Sequence, residues 1–127
     1  MTLPAEAPTE GRPLETLAVG LLGTGRMGSA IARTIARKGG RLVLYNRTLE
    51  RARALADAIA ADAPPGGRPE VEPTPAAVAA RVDVLLSSVA DDDALRALYG
   101  APDGVLAGLG PRTVAVDLST ILPATIR

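Results

Sequence analysis

The chain has no cysteine, no histidine, no tryptophan and no phenylalanine, and only two tyrosines among its 127 residues. Without cysteine there is no disulfide framework, no thiol nucleophile and no thiolate metal site. Without histidine the commonest general base and the commonest metal ligand are also missing, and no metal is expected. An aromatic content of 2% leaves almost nothing for nucleobases to stack on. Fourteen Lys and Arg against fourteen Asp and Glu give a formal net charge of +0, so the basic excess that neutralises a phosphate backbone is absent. No nucleic-acid partner is expected. No apolar run approaches the roughly 20 residues of a membrane span, so no membrane association is expected either. Residues 2–14 mix Pro, Glu, Gly and Arg without the apolar core of a targeting signal. Residues 1–16 read as a disordered tail, and the protein as cytoplasmic.

What is present is one domain's worth of chain, residues 17–127, with 47% hydrophobic residues, enough for a real core. Its hydrophobic period alternates between strand-like and helix-like. Residues 17–22 form a short apolar run, the signature of a strand buried on both faces. A helix follows, with Met27, Ala30, Ile31, Thr34 and Ile35 on the expected inward face, and Gly39-Gly40 stops it. Residues 42–45 make a second strand. Thr48 is placed to cap a second helix whose apolar face is Ala52, Leu55, Ala56 and Ile59. The Ala63-Pro64-Pro65-Gly66-Gly67 stretch breaks that helix, and Glu70-Val71-Glu72 is a candidate edge strand. Thr74-Pro75 opens a small helix through Ala80. Residues 82–89 form a strand, Asp91-Asp92-Asp93 begins a helix through Tyr99, and residues 113–118 are the last strand. This alternation predicts an α/β fold, a Rossmann-type, doubly wound parallel sheet with right-handed crossovers.

Gly23-Thr24-Gly25-Arg26-Met27-Gly28 has the spacing G-x-G-x-x-G. The spacing alone is weak, but here it sits between a strand and a helix inside a βαβ unit. The first glycine permits the tight turn, the second lets backbone approach a pyrophosphate, and the third lets helix and strand pack closely. The free N–H groups of the helix's first turn, about Arg26 to Gly28, then face the anion. Where NAD-binding proteins carry an acidic residue for the adenosine ribose, this chain has Asn46-Arg47-Thr48. Asparagine does not repel a 2′-phosphate, and an arginine can pair with one through a forked, charge-assisted contact. NADP is therefore expected over NAD.

The phosphate loop, Tyr45-Asn46-Arg47-Thr48 and Asp117-Leu118-Ser119-Thr120-Ile121-Leu122-Pro123 together resemble the β-hydroxyacid dehydrogenase family, which includes 3-hydroxyisobutyrate dehydrogenase, tartronate semialdehyde reductase and, more distantly, 6-phosphogluconate dehydrogenase. The segment 100–108 also looks like the family's stretch before the last motif. The resemblance implies that Gly23, Thr24, Gly25, Arg26, Met27 and Gly28 bind the cofactor pyrophosphate, and that Asn46, Arg47 and Thr48 hold the adenosine ribose and its phosphate. It implies further that Ser88, Val89 and Ala90 run along the nicotinamide half. Ser119 and Thr120 would contact the substrate carboxylate, and Thr120 the nicotinamide ribose as well. From the local sequence alone, Ser119-Thr120 reads equally as a helix cap.

The departure from the family concerns chemistry. The family's catalytic lysine lies in a later glycine-containing motif leading to a helical second domain, and neither it nor the sheet's C-terminal strand is present. Lys38, the sole lysine, falls at the end of the first helix, away from the phosphate loop, so no catalytic residue is assigned. The chain reads as the N-terminal portion of an NADP-dependent oxidoreductase acting on a small hydroxy acid or semialdehyde, whether a shortened gene product, a partial reading frame or an excised piece. Alone it is expected to be inactive, and a homodimer is expected only of a complete chain with the helical domain. An imine reductase-like domain and a dinucleotide-binding module without chemistry remain as alternatives.

Overall fold

The computed structural model describes residues 16–88 and 92–117. The expected tail lies almost entirely outside them, as do Val89, Ala90, Ser119 and Thr120. The element order is β1 (Ala18–Leu22), α1 (Arg26–Arg37), β2 (Arg41–Tyr45), α2 (Leu49–Ala61), β3 (Glu70–Val71), α3 (Pro75–Ala79), β4 (Val84–Ser87), α4 (Asp92–Gly100), α5 (Val105–Gly108) and β5 (Val114–Asp117). The five strands form one sheet in the order β3-β2-β1-β4-β5, with every neighbouring pair parallel. This is the Rossmann-type arrangement that the alternating pattern predicts.

β1 lies at the centre of the sheet, and its alternation divides the core into two layers. Leu17, Val19 and Leu21 join Leu42 and Leu44 against α1 and α2. Ala18 and Leu22 join Val43 and Leu85 against α3, α4 and α5. Successive side chains of a strand point to opposite faces, so a central strand with helices on both sides must be apolar at every position, and all five residues of β1 are buried.

The helix faces follow from their neighbours. In α2 the buried residues are Ala52, Leu55, Ala56 and Ile59, as their spacing predicts. In α1 the expected face is rotated. The buried residues are Gly28, Ala32 and Ala36, Ile35 packs at the core's edge, and Met27 is 49% exposed. The helix presents its smallest residues to the sheet because it must lie close to β1, and the larger Met27 and Ile31 are displaced to the flank. α1 ends in a Schellman turn, with Gly40 N–H donating to Ile35 O at 3.0 Å and Gly39 N–H to Ala36 O at 3.1 Å. Gly39 adopts φ 92°, a conformation that suits glycine.

Thr74 caps α3 by accepting from Ala77 N–H at 3.1 Å, with Pro75 at the first helical position. Thr48 stands at the N-cap of α2 but its side chain makes no capping bond there. The sequence pattern does not show the short α5; Gly104 packs against the Leu98 and Tyr99 carbonyls of α4, and Gly108 against the Ala76 backbone of α3. Among the described residues no helix is long and apolar enough to cross a membrane.

Leu44 is fully buried between the sheet and α2. Leu44→Ala is expected to cost about 2–5 kcal/mol of unfolding free energy. The exposed Arg53→Ala on α2 should stay within about 0.5 kcal/mol of the parent. Urea denaturation followed by circular dichroism measures both.

Candidate functional site

At the carboxyl edge of the sheet, β1 runs into the glycine loop. Gly23 takes φ 99°, and its N–H donates to the Tyr45 carbonyl at 2.8 Å, so the turn begins tied to the end of β2. Position 28 is closed to any side chain, since a Cβ there would stand 2.2 Å from the Gly23 carbonyl oxygen. Position 25 is the opposite case, with nothing within 4 Å of a Cβ. One glycine is demanded by packing; the other leaves open backbone.

The ladder of α1 begins with Ser29 N–H on the Gly25 carbonyl at 2.8 Å. The N–H groups of Arg26, Met27 and Gly28 therefore have no partner within the helix, and the positive end of the helix dipole lies among them. The Thr24 hydroxyl is buried without a hydrogen-bond partner. Open backbone at Gly25, unpaired first-turn donors and an orphaned hydroxyl are what a bound diphosphate would use, so the residues fit a dinucleotide's pyrophosphate.

A cleft of about 700 Å³ opens beside this loop, lined by Gly23, Thr24 and Gly25, by Asn46, Arg47 and Arg51, and by Ser88. Ser88 N–H donates to the Leu22 carbonyl at 2.8 Å, which brings the end of β4 alongside the loop. The rest of the lining comes largely from α4 and the segment after it, with Ala94, Ala97, Leu98 and Ala101 giving apolar surface and Asp93 and Asp103 giving carboxylates. The lining thus carries charge of both signs, with guanidinium groups from the β2–α2 segment and carboxylates from α4 and the segment after it. Between them Tyr45 has its phenol pKa raised, first by burial and next by the Asp103 carboxylate, with Arg47 opposing; the ring serves as neutral wall.

Among the expected binding residues, Gly23, Thr24, Gly25, Asn46, Arg47 and Ser88 converge on the cleft. Arg26, Met27 and Gly28 form the first turn of α1, and Thr48 stands at the start of α2. Val89, Ala90, Ser119 and Thr120 lie outside the described residues. Arg51 was not singled out by the sequence reading, although the signal was available. Arg51 lies in the first turn of α2, whose start Thr48 marks, close in sequence to Arg47. The wall from α4 left less trace, because Ala94, Ala97 and Ala101 look like ordinary helix formers. Asp93, expected as a solvated helix start, lies at the cleft with its side chain 95% exposed and pairs with Arg96 at 3.5 Å. Lys38 caps the far end of α1. Among the described residues no cluster of three or more acidic, histidine or cysteine side chains could hold a metal ion.

Comparison with known proteins agrees with this geometry. The family model for the NAD binding domain of 6-phosphogluconate dehydrogenase matches residues 18–127, and the chain belongs to that family. It is 35% identical over 108 residues to the cytokine-like nuclear factor N-PAC of Xenopus tropicalis, covering 85% of this chain and 18% of that protein. It is 32% identical over 105 residues to the uncharacterized oxidoreductase YfjR of Bacillus subtilis (strain 168), covering 81% of this chain and 33% of that one. Among solved structures, Mycobacterium tuberculosis 3-hydroxyisobutyrate dehydrogenase superposes with a TM-score of 0.68 at 23% identity, over 86% of this chain and 33% of the other. The imine reductase of Myxococcus stipitatus in complex with NADP+ gives a TM-score of 0.70 at 24% identity, over 85% and 34%. The chain therefore spans about a third or less of the length of these relatives.

The two glycines make opposite predictions. Gly25→Ala should leave stability within about 1 kcal/mol of the parent yet weaken dinucleotide binding, because its methyl group enters the space open to the ligand. Gly28→Ala should cost about 1–3 kcal/mol by overpacking. Thermal unfolding and calorimetric titration of each variant separate the two effects.

Proposed function

We propose that this chain is the NADP-binding portion of an oxidoreductase that moves a hydride between nicotinamide and a small hydroxy acid or semialdehyde, with residues 17–127 forming the cofactor domain. The observation that carries the reading is the cleft itself, in which the phosphate loop adjoins Asn46, Arg47 and Arg51 and no carboxylate of β2, α2 or the turn between them is among the lining residues. Bound there, a nicotinamide dinucleotide would supply the hydride chemistry. The chain's own residues have three tasks. First-turn amides of α1 bind the pyrophosphate, the Arg47 and Arg51 guanidinium groups neutralise a 2′-phosphate, and the apolar wall of α4 excludes water from the adenosine side. Ser88, Val89 and Ala90 would follow the cofactor toward its nicotinamide, where Ser119 and Thr120 would meet a substrate carboxylate.

The proton that accompanies the hydride needs a group within hydrogen-bond reach and of suited pKa. The cleft offers neither histidine, cysteine nor lysine. A second reading, a dinucleotide-binding module without chemistry of its own, draws support from that inventory and from the similarity to a protein named as a nuclear factor.

Two outcomes are expected. The chain should bind NADPH more tightly than NADH; Arg47→Ala should narrow the gap and Arg47→Asp reverse it. One charge-assisted contact is worth about 1.5–3 kcal/mol, roughly ten- to more than a hundredfold, and calorimetric titration reads it directly. Equal affinities in the parent would refute the preference. In the second test, the purified chain with NADPH and a panel of small aldehydes and 2-oxo or 3-oxo acids should show no oxidation above background. Turnover dependent on the protein would mean that the proton donor lies within this sequence.

A further inference from the structure

The phosphate loop is held by bonds that its glycine pattern does not reveal. Thr24 N–H donates to Asn46 Oδ1 at 2.9 Å, across 22 residues of sequence. On the other side of the same residue, the Thr24 carbonyl accepts from Ser29 Oγ, also at 2.9 Å. The middle of the loop is thereby gripped from β2 and from α1. The Asn46 amide has a second bond, Nδ2 donating to the Thr48 carbonyl at 3.0 Å, which fixes the turn that carries Arg47.

We propose that Asn46 is a positioning residue for the phosphate loop: its amide bridges the loop to the β2–α2 turn, and it acts on a bound dinucleotide chiefly by fixing Thr24, not by touching the ribose. Both ends of the amide are engaged in this bridge. The Oδ1 acceptor orients the Thr24 peptide, which aims the open backbone at Gly25 and the amides beyond it. The Nδ2 donor holds the Thr48 peptide in register with the loop. Only a side chain with an acceptor at one end and a donor at the other can hold both peptides. A carboxylate could keep the first bond but would set a negative oxygen against the Thr48 carbonyl. An asparagine at the end of β2 thus answers a need internal to the chain before any question of which nucleotide binds. The Thr24 amide, committed to Asn46, is not free to serve a phosphate.

The test separates the bridge from a ribose contact, and from the cofactor reading on which its binding arm rests. In the ligand-free chain, the amide hydrogen exchange of Thr24 is followed by NMR. Asn46→Ala should speed it roughly three- to tenfold, the factor that one net hydrogen bond carries. Asn46→Asp, which keeps an acceptor oxygen, should leave it within about twofold of the parent. Inorganic pyrophosphate, which has no ribose, is then titrated into the parent and Asn46→Ala. A positioning role predicts about three- to tenfold weaker binding in the variant, whereas a ribose ligand would leave it unchanged. Unaltered Thr24 exchange in Asn46→Ala, or unaltered pyrophosphate affinity, would overturn the proposal. A parent chain that fails to bind pyrophosphate would count against the cofactor site, and the exchange measurement would still decide the bridge.

Discussion

The close approach of α1 to the end of β1 is the contact on which the rest of the structure depends. It exists because position 28 carries no side chain; a methyl group there would lie inside the Gly23 carbonyl. The same contact rotates the helix so that Ala32 and Ala36 follow Gly28 onto the sheet. It also aims the first-turn amides at the cleft, so packing and anion recognition are one arrangement seen from two sides. Close-packed interiors transmit such constraints because there is little free volume to absorb a shift. The loop's position is further fixed by hydrogen bonds of Thr24 with Asn46 and Ser29.

The polarity of the cleft follows from which elements meet there. The β2–α2 turn and the first turn of α2 bring Arg47 and Arg51 to the cleft, while α4 and the segment after it bring small apolar residues and two carboxylates. A dinucleotide is itself asymmetric, with phosphates at its middle and at one ribose and a flat base at its end. Belonging to the family of the 6-phosphogluconate dehydrogenase NAD binding domain accounts for the loop and the sheet order. The choice between nucleotides rests on finer features, the missing carboxylate and the two guanidinium groups.

Most of the fold was legible in the sequence because its signals were local. A continuous apolar run marks a doubly covered strand, and β1 is that strand. Gly39-Gly40 marks a helix stop, and the Schellman bonds are there. Thr74-Pro75 marks a helix start, and Thr74 caps it. What escaped depended on the third dimension. The phase of α1 was misjudged because hydrophobicity pointed to Met27 and Ile31, whereas proximity to β1 selected glycine and alanine. α5 spans four residues, too short for a period to show. The bond between Asn46 and Thr24 left no trace in the sequence because it joins segments 22 residues apart that only the fold brings together. Ser29, one residue past the glycine motif, carried no sign of its hold on Thr24.

The two margins of the sheet differ in a way that bears on how the domain behaves in concentrated solution. On one side β3 is two residues long, and its Glu70, with Glu72 just beyond it, is bound by Arg81. Short strands and charge discourage a foreign strand from adding there. On the other side β5 contributes four residues, with Val114 45% exposed and Val116 39% exposed, and among the described residues no strand pairs with its outer edge. An open edge lined with valine is a template for stacking another chain. Of the two margins, β5 is the one open to strand addition, and a charged residue at Val116 would make it less receptive without touching the cleft.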